Sequence, residues 1–223
     1  MPAPERPTPS TEQKRNARVL FNRLKKLYPE MKTALDYADA WQLLVVTVLS
    51  AQTTDENVNK VAPNLFARWP SPEDLAGANP EDVEKVVFST GFYRQKTKSI
   101  ISLAADLVDK FGGVVPKDLD QLVTLRGVGR KTASVVLAEV WDHPAIAVDT
   151  HVRRVTNRLA LTNETDPTKI EFDLKALHNK KIWSGISMRY IQFGRDICDA
   201  RKPRCWECPL ADRCPYPDKT PPP

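Results

Sequence analysis

The chain has 223 residues, 41% of them hydrophobic, and a formal net charge of +5 at pH 7. That is enough for one large or two small domains with a core, while eight glycines are too few for an all-β architecture with many tight turns. No apolar run approaches the ~20 residues that cross a bilayer, and Met1-Pro2-Ala3-Pro4-Glu5-Arg6-Pro7 lacks an apolar signal region, so a cytoplasmic protein without membrane contact is expected.

The Pro-rich start predicts a disordered tail. Thr11 reads as the cap of a helix to about Tyr28, with Leu20, Leu24 and Leu27 on one face and Pro29 as its stop. The segment 40–49 reads as a buried helix. Asp55 reads as the cap of the next helix, which Pro63 should kink or shorten. Ser71-Pro72 and Asn79-Pro80 are two helix starts of one kind: a capping side chain, a proline, then acids. Thr90 to Tyr93 reads as a loop before an amphipathic helix from Lys96 to Phe111, stopped by Gly112-Gly113. Next come a helix from Asp118 to Leu125, a turn at Gly127 and Gly129, and a second helix carrying Ala133, Val136, Leu137 and Val140. Pro144 to Val148 reads as an extended link, Asp149 as the cap of a helix to Leu159, and Asp166-Pro167 as another start. A last helix, about Trp183 to Ile197, leads into four cysteines, and the Pro-rich end should fray. The fold class is all-α with about ten helices.

Three stretches carry chemistry. In Leu125-Arg126-Gly127-Val128-Gly129-Arg130-Lys131 the outward amides of the turn and of the next helix form a site for an anion, most plausibly phosphate. Lys131 sits at the positive end of a helix, a misfit that hints at function. From the hairpin alone, a nucleophile and a phosphate contact are equal readings. Asp149 serves as an N-cap, or as an ionised carboxylate beside a reacting centre. Cys198, Cys205, Cys208 and Cys214, spaced C-x6-C-x2-C-x5-C, are the whole cysteine complement. Without a secretory signal a disulfide set is disfavoured, and spacing alone leaves zinc and a [4Fe–4S] cluster as rivals. Basic residues cluster at Arg94, Lys96 and Lys98, at Arg126, Arg130 and Lys131, at Arg153, Arg154 and Arg158, and at Arg195, Arg201, Lys202 and Arg204. Any one cluster reads as a solvated face; four beside the motifs suggest a phosphate-tracking surface.

The glycine hairpin, the aspartate C-terminal to it and the four cysteines, in this order, resemble the iron–sulfur endonuclease III family of helix-hairpin-helix DNA glycosylases. The resemblance covers about residues 12 to 217. It implies two helical domains flanking a cleft: a six-helix domain over 34–144 with the hairpin, and a cluster domain made of 12–33 plus 145–217, with residues 1–11 and 218–223 as tails. It implies a monomeric DNA glycosylase and AP lyase of base-excision repair acting on oxidised pyrimidines or abasic sites in double-stranded DNA. Lys131 would be the Schiff-base nucleophile and Asp149 its catalytic partner. The four cysteines would hold a [4Fe–4S] cluster. Gly127, Val128, Gly129, Arg130, Arg201, Lys202 and Arg204 would contact DNA, with Gln52 and Phe92 filling the gap left by a flipped base. His151 either faces the pocket or is a bystander of the capping turn, and Phe92 read without the resemblance is a core aromatic. Arg126 stands where this family usually has proline, which should loosen the turn and add a cation. Phe92 replaces a common leucine and Gln192 a frequent histidine. The rivals are a non-catalytic helix-hairpin-helix DNA-binding module and an adenine-mismatch glycosylase; Lys131 and the short C-terminus argue against the latter.

Overall fold

The computed structural model describes residues 8–223, and every regular element among them is helical. The start of the expected N-terminal tail lies outside the described residues. The chain divides into two units: Thr33–His143, and a second made of the N-terminal segment to Lys32 with Pro144–Pro223. No helix among the described residues is long and apolar enough to cross a membrane.

The unit of residues 33–143 holds α2 (Ala40–Leu49), α3 (Asp55–Arg68), α4 (Pro72–Ala76), α5 (Pro80–Val87), α6 (Tyr93–Phe111), α7 (Leu119–Leu122) and α8 (Arg130–Trp141). α2 is apolar on nearly all sides because it is the centre: Leu43, Leu44, Val45, Val46 and Leu49 are all fully buried, and α3, α6 and α8 pack on it. Each such side chain contributes about 1.5–3 kcal/mol of burial. Leu75 of α4 and Val83 and Val87 of α5 are buried where these helices meet α6, which contributes Ile100, Leu103 and Leu107. α3 is capped by Thr54, whose Oγ1 accepts from the Asn57 amide at 3.2 Å, and not by Asp55, which is its first residue. Pro63 does not shorten it: buried Val61, Ala62 and Leu65 hold the helix to Arg68 through the missing hydrogen bond. α6 begins at Tyr93 rather than Lys96, behind a 3-10 turn over Phe88–Thr90.

The other unit holds α1 (Thr11–Leu27), α9 (Thr150–Arg158), α10 (Pro167–Leu177) and α11 (Ile186–Asp196), with a 3-10 segment over Lys180–Gly185 that takes the first turns expected of the last helix. α1 is capped by Ser10, one residue earlier than expected. Ser10 Oγ accepts from Gln13 N at 3.2 Å and Gln13 Oε1 accepts from Ser10 N at 2.8 Å, a closed capping box. Leu20, Leu24, Val152, Val155, Ile170, Leu174, Ile186 and Tyr190 form its core.

The hairpin departs most from expectation. Its first helix, α7, is a single turn, Leu119–Leu122, because the chain then tightens into successive turns, Thr124 N to Gln121 O and Leu125 N to Leu122 O. Arg126 does not loosen the glycine turn. Its backbone N–H donates to Asp106 Oδ2 at 2.8 Å, its Nε to the same oxygen at 3.0 Å, and its Nη2 to Oδ1 at 3.0 Å. Lys110 Nζ adds a bond to Thr124 O at 3.0 Å and lies 3.3 Å from Asp106 Oδ1. The Asp106 side chain is only 6% exposed. Hydrogen bonds from the Arg126 guanidinium, with those from its backbone and from Lys110, outweigh burial and hold the carboxyl down to about 2. Its folded pKa is depressed, so its stabilisation is full above the unfolded value of about 3.9 and disappears as pH falls toward about 2. Asp106→Ala should therefore cost about 1–3 kcal/mol at pH 7. In urea melts at a series of pH values, the gap between variant and parent should close between pH 4 and 2.

Candidate functional site

The hairpin turn is built for close approach. Gly127 has φ +82°, and a Cβ there would be strained and would sit 3.4 Å from Ser99 Cβ on α6. Val128 is buried and anchors the turn from below, its N–H bonding to Leu125 O at 3.1 Å. Gly129 is the N-cap of α8 and offers no side chain to the first amides of that helix; a Cβ there would meet nothing within 4 Å. Lys131 is exposed in this first turn, beside half-buried Arg130. A helix start with no side-chain cap and open space in front suits an anion.

Gln52 and Phe92 lie in the same unit, and both hold a left-handed backbone, at φ 55° and 48°. Such non-glycine residues are uncommon and mark turns or functional strain. Gln52 is exposed. Phe92 is 67% exposed, which removes the core reading, and Phe88 beside it is 63% exposed with its ring 4.9 Å from that of Tyr93. Lys96 is no part of a basic surface: it is buried, its Nζ donates to Thr90 O at 2.6 Å, and burial lowers its pKa.

Asp149, in the other unit, caps α9, its Oδ1 accepting from Val152 N at 2.8 Å. His151 is held in place, its Nδ1 lying 3.0 Å from Arg154 Nη2, and a Cβ on Gly194 would come within 3.1 Å of its own Cβ.

The four cysteines line one pocket, otherwise walled mainly by Leu159, Phe193, Ile197, Pro203, Ala211 and Arg158. All four are half-buried. Burial pushes the Cys208 thiol up to about 11, with the other cysteines adding to it, and burial also raises Cys214, so without a ligand these two thiols stay protonated. Arg158 supplies what four thiolates need. Its Nη1 donates to Cys198 Sγ at 3.3 Å and to Asp199 O at 2.6 Å, and its Nη2 to Ala200 O at 2.9 Å, while its guanidinium rests on the Tyr216 ring at 4.5 Å. Leu210 N donates to Cys208 Sγ at 3.4 Å. Arg154 Nε holds Cys198 O at 3.1 Å. Among the described residues no three His, Cys, Asp or Glu side chains converge tightly enough for a single ion. Four thiols round a mostly apolar pocket, with N–H donors aimed at sulfur, fit an iron–sulfur cluster better than one Zn²⁺.

Arg154 and Arg158, read from the sequence as part of a basic face, thus serve the cysteine loop. Nothing in their spacing signals this, since the carbonyls they satisfy lie some forty residues away. Within the loop, Asp199 Oδ1 accepts from Arg201 N and Lys202 N at 2.8 and 3.1 Å, which leaves both side chains exposed. Arg204 is instead engaged at the surface by Asp196 O and by Glu207 at 2.9 Å, its side chain 47% exposed. Lys219 Nζ donates to Ala211 O at 3.0 Å and Thr220 Oγ1 to Pro203 O, so the C-terminal segment is tied to the same loop. Gln192 Nε2 donates to Asp196 Oδ1 at 2.7 Å, and Asp196 Oδ2 accepts from Tyr28.

Comparison with known proteins gives these features a common origin. Residues 45–180 match the model of the HhH-GPD superfamily base excision DNA repair proteins, and residues 198–214 match the iron–sulfur binding domain of endonuclease III. Endonuclease III of Synechocystis sp. is 48% identical over 204 residues, covering 91% of this chain and 93% of that protein. Its counterpart from Bacillus subtilis is 41% identical, over 87% and 89%. A non-covalent endonuclease III–DNA complex superposes with a TM-score of 0.86 at 40% identity, covering 91% of this chain and 95% of that one. A trapped endonuclease III–DNA covalent intermediate gives 0.87 at 40% identity, over 91% and 96%. The chain belongs to the endonuclease III family, the iron–sulfur members of the helix-hairpin-helix base-excision repair enzymes.

Proposed function

We propose that this chain removes oxidised pyrimidines from duplex DNA and then cleaves the strand at the resulting abasic site, with Lys131 as nucleophile and Asp149 as its partner. The observation that carries the reading is the uncapped start of α8: an exposed lysine sits where amides and open space receive a sugar-phosphate. The Lys131 amine attacks C1′ and the base departs with the glycosidic electrons. Asp149 accepts the proton lost by the amine and offsets positive charge building at the sugar. Ring opening gives a Schiff base; loss of a C2′ proton then expels the 3′ phosphate, and water releases the enzyme. The turn amides of Gly127 and Gly129, with Arg130, hold the neighbouring phosphate, while Val128, its own N–H bonded to Leu125 O, shapes the turn they sit in. Cys198, Cys205, Cys208 and Cys214 would hold the [4Fe–4S] cluster, which would supply a fixed anchor for the loop that presents Arg201 and Lys202 to the DNA backbone. Every group named comes from one chain, so a monomer suffices, acting in the cytoplasm where its DNA lies.

Lys131→Ala should abolish the covalent complex trapped by borohydride on a duplex with one oxidised pyrimidine. Strand cleavage should fall by roughly a thousandfold or more, with duplex binding kept. Persistent trapping in the variant would reject the assignment. Equal loss of binding and cleavage would favour a lysine that only contacts phosphate.

Arg201→Ala and Lys202→Ala should each lower the slope of log binding constant against log salt by about one. Arg204→Ala should leave that slope nearly unchanged and destabilise the loop instead, because its guanidinium is taken up by Asp196 and Glu207.

A further inference from the structure

Gln52 and Phe92 are forty residues apart in sequence and sit on different loops, yet one side chain touches both loops. Asn57 lies in the first turn of α3. Its carboxamide Nδ2 donates to Thr53 Oγ1 at 3.1 Å, next to Gln52, and to Ser89 O at 2.7 Å, in the 3-10 turn that leads to Phe92. Ser89 O can only accept, which settles which end of the amide faces it. Both protons of the amide are therefore used, one on each loop. The next carbonyl of the same turn, Thr90 O, is held from α6 by buried Lys96. The turn before Phe92 is thus held by Asn57 of α3 and by Lys96 of α6, and only the Asn57 contact reaches the Gln52 loop.

Gln52 and Phe92 also share a costly backbone. A left-handed non-glycine residue relaxes unless its surroundings hold it. Phe92 is the N-cap of α6 and makes no capping side-chain bond, and Gln52 lies in the turn after α2, whose closing bond from Thr53 N to Ser50 O is long at 3.3 Å. A bridge between their loops is what would keep both in place at once.

We infer that Asn57 is a positioning residue that couples the Gln52 and Phe92 loops, so that the two side chains enter the duplex as one rigid pair and the lesion is opened in one concerted step. The inference rests on the proposed entry of Gln52 and Phe92 into DNA. Asn57 touches neither the hairpin nor the cysteines, and the coupling acts on base opening rather than on attack at C1′.

The test uses the full-length cluster-containing protein and a duplex with an oxidised pyrimidine beside a 2-aminopurine, whose fluorescence reports base opening. Asn57→Asp is nearly isosteric, suits the first turn of a helix and removes both donors; Asn57→Ala is the second variant. Both should lower the opening rate by about tenfold, a contact-scale coupling. Loss of the two hydrogen bonds should lower the thermal midpoint by a few degrees, while binding to undamaged duplex stays near the parental value, which disruption of the fold would not allow. Gln52→Ala and Phe92→Ala should each slow opening. Their combination should be non-additive by about fivefold with Asn57 present and additive in the Asn57→Asp background. Normal opening in both Asn57 variants, or non-additivity that survives Asn57→Asp, overturns the coupling while leaving the roles of Gln52 and Phe92 intact. Unchanged opening in Gln52→Ala and Phe92→Ala overturns those roles first, and the coupling with them.

Discussion

The hairpin depends on one carboxylate. Asp106, nearly buried on α6, grips the backbone N–H and the guanidinium of Arg126 together. A backbone amide at the start of a tight turn is among the groups that must be satisfied if the turn is to keep its shape. Relatives with proline at that place have no such amide, and the ring fixes φ covalently. Here an ionic clamp does the same task. It leaves Gly127 free to take φ +82° against Ser99 and lets Val128 drop into the core, so Gly129 ends where α8 can start without a cap. The same contact places charge: Asp106 compensates Arg126 where the chain enters the turn.

A similar logic governs the cysteine centre. Four thiolates bound to a cluster are costly to hold in a mostly apolar pocket unless N–H donors and positive charge face them. Arg158 provides both, and closes the loop by taking the carbonyls of Asp199 and Ala200. Asp199 then turns back to accept from the amides of Arg201 and Lys202. The path from the cysteines to the exposed cations Arg201 and Lys202 is thus a chain of short-range hydrogen bonds.

Much of this is legible in the sequence because it is local. Apolar periodicity marks α1, α6 and α8, capping side chains mark α4, α5, α9 and α10, and the spacing of the four cysteines marks a metal centre. Asp149 as a cap needs only the three residues after it. What escapes is set by distant partners. Arg126 reads as a loosened turn because Asp106 is twenty residues away; Lys96 reads as surface charge because the Thr90 carbonyl it serves is visible only in the fold. Pro63 reads as a break because its cost is local, while the burial of Val61 and Leu65 that overrides it is tertiary. The zinc alternative is open in the spacing, and only the shape of the pocket, with the family match, speaks for the cluster.

Four non-glycine residues among those described adopt a left-handed backbone, and they divide into two kinds. Asp142 and Ala160 come just after helices, where such a residue ends the helix and the next amide bonds backward, His143 N to Leu137 O at 3.1 Å and Leu161 N to Thr156 O at 2.9 Å. Their conformation is compensated on the spot. Gln52 follows α2 with a longer backward bond, Thr53 N to Ser50 O at 3.3 Å, whereas Phe92 precedes a helix and occupies an N-cap where Ser, Thr, Asp or Asn would satisfy an amide. Glycine would remove the strain at both positions, at a gain of roughly 1 kcal/mol each, and asparagine would serve the cap at Phe92. A sequence shaped for stability alone would carry those residues. It carries instead a long polar side chain and a mostly exposed aromatic, on two loops joined through one asparagine, so both positions give up backbone stability for what those side chains supply.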